Sequence, residues 1–197
     1  MPMGYCRFSL RRSIGEFVTP DPSDWPNGQV ILQRMGGVYA SVKVSAMNEN
    51  LIFMMGEFEA EFPPGLMYAA NHMWALPVGE TLRFGFTAYA VRLLQDVYFL
   101  DWEVAPGMQV EQGKHIGDIE SSKAESTLHA PLAGTITSIN AQLLQDPSAI
   151  NVDKYGEGWL FEMDASGDAL LEPTAYLEHL EDVWEVTQKT IKGQFNQ

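Results

Sequence analysis

Apolar and polar residues alternate with period two along much of this chain, the pattern of short half-buried strands. Glu57-Phe58-Glu59-Ala60-Glu61-Phe62 is the clearest run. Residues 38–44 and 51–55 also read as strands, with Asn48-Glu49-Asn50 as the turn between them. Pro63-Pro64-Gly65 breaks the pattern and is the expected domain boundary. Beyond it, residues 81–86 read as a strand and Thr87 as the cap of a short helix through Leu94. Residues 97–100 begin another strand, Pro106-Gly107 turns the chain, and residues 139–144 form a brief helix stopped before Asp146-Pro147. The period then changes. Tyr176, Leu177, Leu180, Val183, Trp184, Thr187 and Ile191 recur at helical spacing, opposed by Glu178, Glu181, Asp182 and Glu185. Pro173 suits the first turn of that helix, and the apolar stripe is expected to dock on its own domain.

These readings give a mainly β chain in four parts. Residues 1–22 form an irregular start, 23–62 a β-rich N-terminal extension of unassigned role, 63–170 the main domain, and 171–197 an amphipathic C-terminal helix.

Composition changes the picture in three ways. Hydrophobic residues at 46% and charged residues at 19% describe a globular chain, and no apolar stretch is long enough to suggest a membrane span. Cys6 is the only cysteine, which excludes an intrachain disulfide and points to a reducing compartment, the cytoplasm. Arg7, Arg11 and Arg12 with nearby serines are the one feature that fits a mitochondrial transit segment instead. The net charge of −14 is uneven, −2 over residues 1–62 and −12 over residues 63–197. An acidic surface repels phosphate backbones, so nucleic acid is not an expected partner. It suits solubility, or the steering of encounters with several enzymes in turn.

The candidate chemistry centres on Lys123, in the run Glu120-Ser121-Ser122-Lys123-Ala124. Gly113 and Gly117 precede it, and Ala130-Pro131-Leu132-Ala133-Gly134 follows. A lysine framed by glycines between two short strands reads as the exposed tip of a hairpin. There an amine is accessible on a rigid base, as attachment of a covalent cofactor requires. The other polar residues do not compete with it. His72, His115 and His129 lack metal-ligand spacing, and no Ser/His/Asp or Cys/His arrangement emerges.

From Tyr68 to Met163 the chain resembles the glycine cleavage system H proteins. Tyr68 and His72-Met73-Trp74 are similar to the family's Tyr and His-Glu-Trp, with one change. Gly85-Phe86-Thr87, the glycine spacing, Glu120, Lys123-Ala124, Asn151 and Tyr155-Gly156-Glu157-Gly158-Trp159 follow in the family's order. Biotin carriers share this fold, but their lysine usually lies between two methionines, where Ser122 and Ala124 stand here.

The resemblance implies a lipoyl/biotinyl-type barrel-sandwich hybrid carrying lipoate through an amide on Lys123. It further implies a non-catalytic carrier that shuttles an aminomethyl group between glycine decarboxylase, aminomethyltransferase and dihydrolipoamide dehydrogenase. A lipoylating enzyme is a further implied partner, which Glu120 helps to recognise the hairpin, a solvated strand-end acid being the plain alternative. Asn71, Met73, Glu125 and Thr127 are the arm-facing candidates. Met73 and Thr127 stand where the family has carboxylates, and Glu125 shares a strand face with Thr127. Two other readings remain open on the residues alone. One is an H-like lipoyl carrier in another pathway, such as heterodisulfide-reductase-like sulfur oxidation. The other is a binding or regulatory protein that bears no arm.

Overall fold

The structure is a computed structural model describing residues 29–32, 40–43 and 49–194, with side chains for residues 49–184. The irregular start expected over residues 1–22 lies outside the described residues. The chain divides into two compact units, Met1–Met47 and Asn48–Gln197. In the first, strands β1 (Gln29–Leu32) and β2 (Ala40–Lys43) pair antiparallel.

The second unit begins with an antiparallel hairpin, β3 (Leu51–Met55) and β4 (Phe58–Phe62), closed through Gly56-Glu57. The strand at 51–55 was expected to follow residues 38–44 through a turn at Asn48-Glu49-Asn50. Instead it pairs with β4, and β2 pairs with β1. The break at Pro63-Pro64-Gly65 is accordingly a turn inside the second unit, and the division falls after Met47. The reason is burial: Phe53, Met55, Ala60 and Phe62 sink one face of the hairpin into a cluster with Tyr68, Trp74, Tyr89, Tyr176 and Leu180.

Nine further strands form two sheets. The larger holds β5 (Met67–Tyr68), β6 (Met73–Val78), β7 (Thr81–Phe86), β9 (Gln109–Val110), β12 (Gly134–Ile139) and β13 (Trp159–Asp164), in the order β5-β6-β7-β13-β12-β9. The smaller holds β8 (Val97–Trp102), β10 (His115–Ser121) and β11 (Glu125–His129), in the order β11-β10-β8. Val97, Leu100, Ile116, Ile119 and Leu128 of the smaller sheet share one core with Met73, Ala75, Phe84, Phe86, Ile136, Phe161 and Met163 of the larger. The result is a sandwich with the Lys123 hairpin on its three-stranded side.

Local chemistry explains the helices. Helix α1 (Ala88–Leu94) starts where the Thr87 hydroxyl accepts a hydrogen bond from the Ala90 amide, satisfying an otherwise orphaned donor. The segment 139–144 is a strand end followed by a 3-10 turn (Ala141–Leu144), and α2 (Ala149–Val152) is a single turn. Helix α3 (Pro173–Gln194) buries Tyr176 and Leu180 completely in the second cluster, so its stripe docks on its own unit as far as Trp184. The side chains of Thr187 and Ile191 lie outside the described residues. Among the described residues no helix is long and apolar enough to cross a membrane.

Candidate functional site

Strands β10 and β11 pair in register, Asp118 with Thr127, Ile119 with Ser126 and Glu120 with Glu125, which places Lys123 in the turn that joins them. Ser121, only 5% exposed, locks this turn. Its Oγ accepts from the amides of Lys123 (3.4 Å) and Ala124 (3.2 Å), and donates to the Ala124 carbonyl (3.0 Å). The Ser121 amide bonds the same carbonyl, and the Ser122 amide reaches the Asp96 carbonyl just before β8, each at 3.0 Å. Ser122, Ala124 and Glu125 are exposed; Lys123 is half-buried, less open than the exposed tip expected of it.

Two of the framing glycines have a steric reason. Gly113 sits at φ +78°, where a side chain would strain the backbone. A Cβ on Gly117 would run into the Asp101 carbonyl oxygen and the Trp102 ring, because β8 passes directly across it.

The face that the hairpin turns to solvent is acidic. Glu120 lies opposite Glu125, and Asp118 opposite Asp101 on β8. Like charges paired across strands cost stability, so this face keeps a negative potential that a cationic group would relieve. Tyr98 belongs to it as well. Desolvation, and next the negative charge of Glu120, raise its phenol above the ordinary value.

The arm-facing candidates divide. Glu125 and Thr127 are both exposed and share the β11 face, two residues or roughly 6.6 Å apart. Asn71 is exposed near the base of the hairpin, where its Nδ2 donates to the His129 carbonyl at 3.0 Å. Met73 does not reach the surface. It is 2% exposed in the main core, because β6 is covered on both sides, by the sandwich core under Met73 and Ala75 and by the second cluster around Trp74. Glu120 is half-buried at the end of β10. Sequence reasoning missed Ser121, whose only signal was a serine two residues before the lysine. It also missed Tyr98, which a strand irregularity brings to the hairpin.

A short loop ties the hairpin to the C-terminal helix. His72, at φ +68°, places its Nδ1 3.0 Å from the Tyr176 hydroxyl of α3, and His179 Nε2 donates to the Ala70 carbonyl at 3.1 Å. Burial, and next the neighbouring His179, push the His72 imidazole down to about 4. Burial likewise pushes the Tyr68 and Tyr176 phenols well above their usual value.

A face-to-face β sandwich with a lysine at the locked tip of a short hairpin has the architecture of a lipoyl-type barrel-sandwich hybrid. The family model described as "Glycine cleavage H-protein" matches residues 66–190. The glycine cleavage system H protein of Mycobacterium avium (strain 104) is 40% identical over 114 residues, 57% of this chain and 86% of that protein. That of Thermus thermophilus is 38% identical over 125 residues, 61% of this chain and 97% of that one. The crystal structure of the Mycobacterium marinum glycine cleavage system H protein superposes with a TM-score of 0.53 at 32% identity, covering 61% of this chain and 98% of that one. The chain belongs to the glycine cleavage H-protein family.

Proposed function

We propose that this chain is the lipoyl carrier of a glycine cleavage system and that Lys123 is the point at which its arm is attached. The observation that carries the reading is the position of Lys123, at a hairpin tip inside the segment matched by the family. Comparisons with glycine cleavage proteins favour this pathway over sulfur oxidation or an armless binding role.

The residues fit the group. An amide at this lysine needs an amine that a modifying enzyme can reach, on a base that does not yield. Exposed Ser122 and Ala124 leave room beside the lysine, while the Ser121 and Asp96 hydrogen bonds fix its backbone. Lipoate bound there supplies redox and group-transfer chemistry, and the protein supplies position.

Glu120 serves as a recognition handle for the lipoylating enzyme. Glu125, on the same face as Thr127 and nearer the tip, supplies a carboxylate that Met73 and Thr127 lack, with Asp118 opposite Thr127 beside it. Glycine decarboxylase, aminomethyltransferase and dihydrolipoamide dehydrogenase are the enzymes such an arm visits.

The test is reconstitution. After treatment with a lipoate ligase, the wild-type chain should support glycine–bicarbonate exchange by glycine decarboxylase. Lys123→Arg should support none, with an unchanged thermal transition. Exchange by the arginine variant at the wild-type rate would overturn the assignment.

A further inference from the structure

The smaller sheet contains an irregularity beside the carrier lysine. Glu120 pairs with Phe99, but the next residue, Ser121, pairs with Val97, so Tyr98 is an extra residue in β8. Consecutive strand residues normally point to opposite faces, and a bulge of this kind re-aims them. Val97 and Leu100 on either side are 2% and 4% exposed, whereas Tyr98 and Phe99 are 59% and 45% exposed. They are the large aromatic side chains left open among the described residues, and neither ring pairs with another there.

Their position is tied to the hairpin tip. The Ser122 amide bonds the Asp96 carbonyl, two residues before Tyr98, and Phe99 lies directly opposite Glu120, about 5 Å away across the strands. The Glu120 carboxylate is a near neighbour of the Tyr98 phenol and helps raise it above its ordinary value. Lys123 follows Ser122 directly, so an acyl arm on its side chain starts from the same corner of the sheet as Tyr98.

We propose that Tyr98 and Phe99 form the resting seat of the arm carried by Lys123. This rests on the lipoyl reading above. The occupant follows from its chemistry. Amide formation removes the lysine's charge, and with it the attraction to Glu120 and Glu125. What remains is an apolar acyl chain ending in a disulfide ring, and aromatic faces take up both methylenes and sulfur. The seat holds the arm against the sheet until a partner enzyme competes for it.

The experiment uses the full chain, modified by a lipoate ligase with lipoate carrying 13C-labelled methylenes, and checked by intact mass. Nuclear Overhauser contacts from the arm to the Tyr98 and Phe99 rings are expected. In Tyr98→Ala/Phe99→Ala these contacts should vanish and arm transverse relaxation should slow by about twofold or more, as for a freer segment. Tyr98→Phe should keep most of the effect. The amide spectrum away from β8 reports that the variants are folded. Equal arm mobility in the wild type and the double variant overturns the seat while leaving the attachment intact. So does a double variant that changes only the rate of loading by glycine decarboxylase, since the rings would then contact a protein. Failure of the ligase to modify Lys123 overturns both readings.

Discussion

At the scale of single residues the site depends on a few atoms with no substitute. Gly117 lies under β8, where a methyl group would meet the Asp101 carbonyl oxygen, whereas a Cβ on Gly65 would meet nothing within 4 Å. Gly117→Ala should therefore destabilise the protein by about 1–3 kcal/mol, and Gly65→Ala by no more than about 0.5 kcal/mol, read as shifts in the urea midpoint. Equal shifts would show that the close approach is absent. Ser121→Ala removes the hydroxyl that ties the turn and should cost about 1–2 kcal/mol, with slower modification of Lys123 by the ligase. Glu125→Gln should release the amine cargo of the loaded protein several-fold faster, measured as formaldehyde formed in the absence of partners. An unchanged release rate would remove Glu125 from its role. The hairpin turn at Lys123 and its glycine frame were readable from the chain because turn chemistry and close approach depend on residue type and spacing. Ser121 and Tyr98 were not, because a serine beside a lysine and a tyrosine in a strand acquire meaning only once the hairpin meets β8.

At the scale of elements, what could be read from the chain followed the range of the interactions. Thr87 and Pro173 announce helix starts because a cap and a fixed φ are local properties, and the structure has α1 and α3 there. The strand at 51–55 could be recognised, but its partner could not. Two neighbouring segments compete for its edge, and the choice is made by burial of Phe53 and Phe62 with Tyr89 and Tyr176.

The docking of α3 has a pH signature. The His72 imidazole faces Tyr176 and His179 of α3 and Tyr89 of α1, and is held neutral down to about 4, below its ordinary 6.5. In that window the unfolded chain binds the proton that the folded one refuses. The stability from burying His72 neutral is thus fully present above about pH 6.5 and is lost as pH falls toward 4. The loss is on the order of 2–3 kcal/mol. His72→Gln should flatten the fall in thermal midpoint across this window relative to wild type. An identical pH profile in the two proteins would mean that the imidazole is not sheltered.

For the molecule as a whole, charge is divided unevenly between the two units. Residues 48–197 hold 7 basic and 23 acidic residues, a net −16, whereas residues 1–47 hold 5 basic and 3 acidic, a net +2. A carrier with such a field should meet cationic partner surfaces quickly at low salt, and the initial rate of loading should fall about tenfold between low and physiological ionic strength. A salt-independent rate would confine the charge to solubility. The central claim, however, is covalent. The most direct measurement is the intact mass of the full chain purified from its own lipoate-replete cells, followed by peptide mapping across residues 115–129. The expected result is the increment of one lipoyl amide, located on Lys123. An unmodified Lys123, or an increment on any other lysine, would contradict the account.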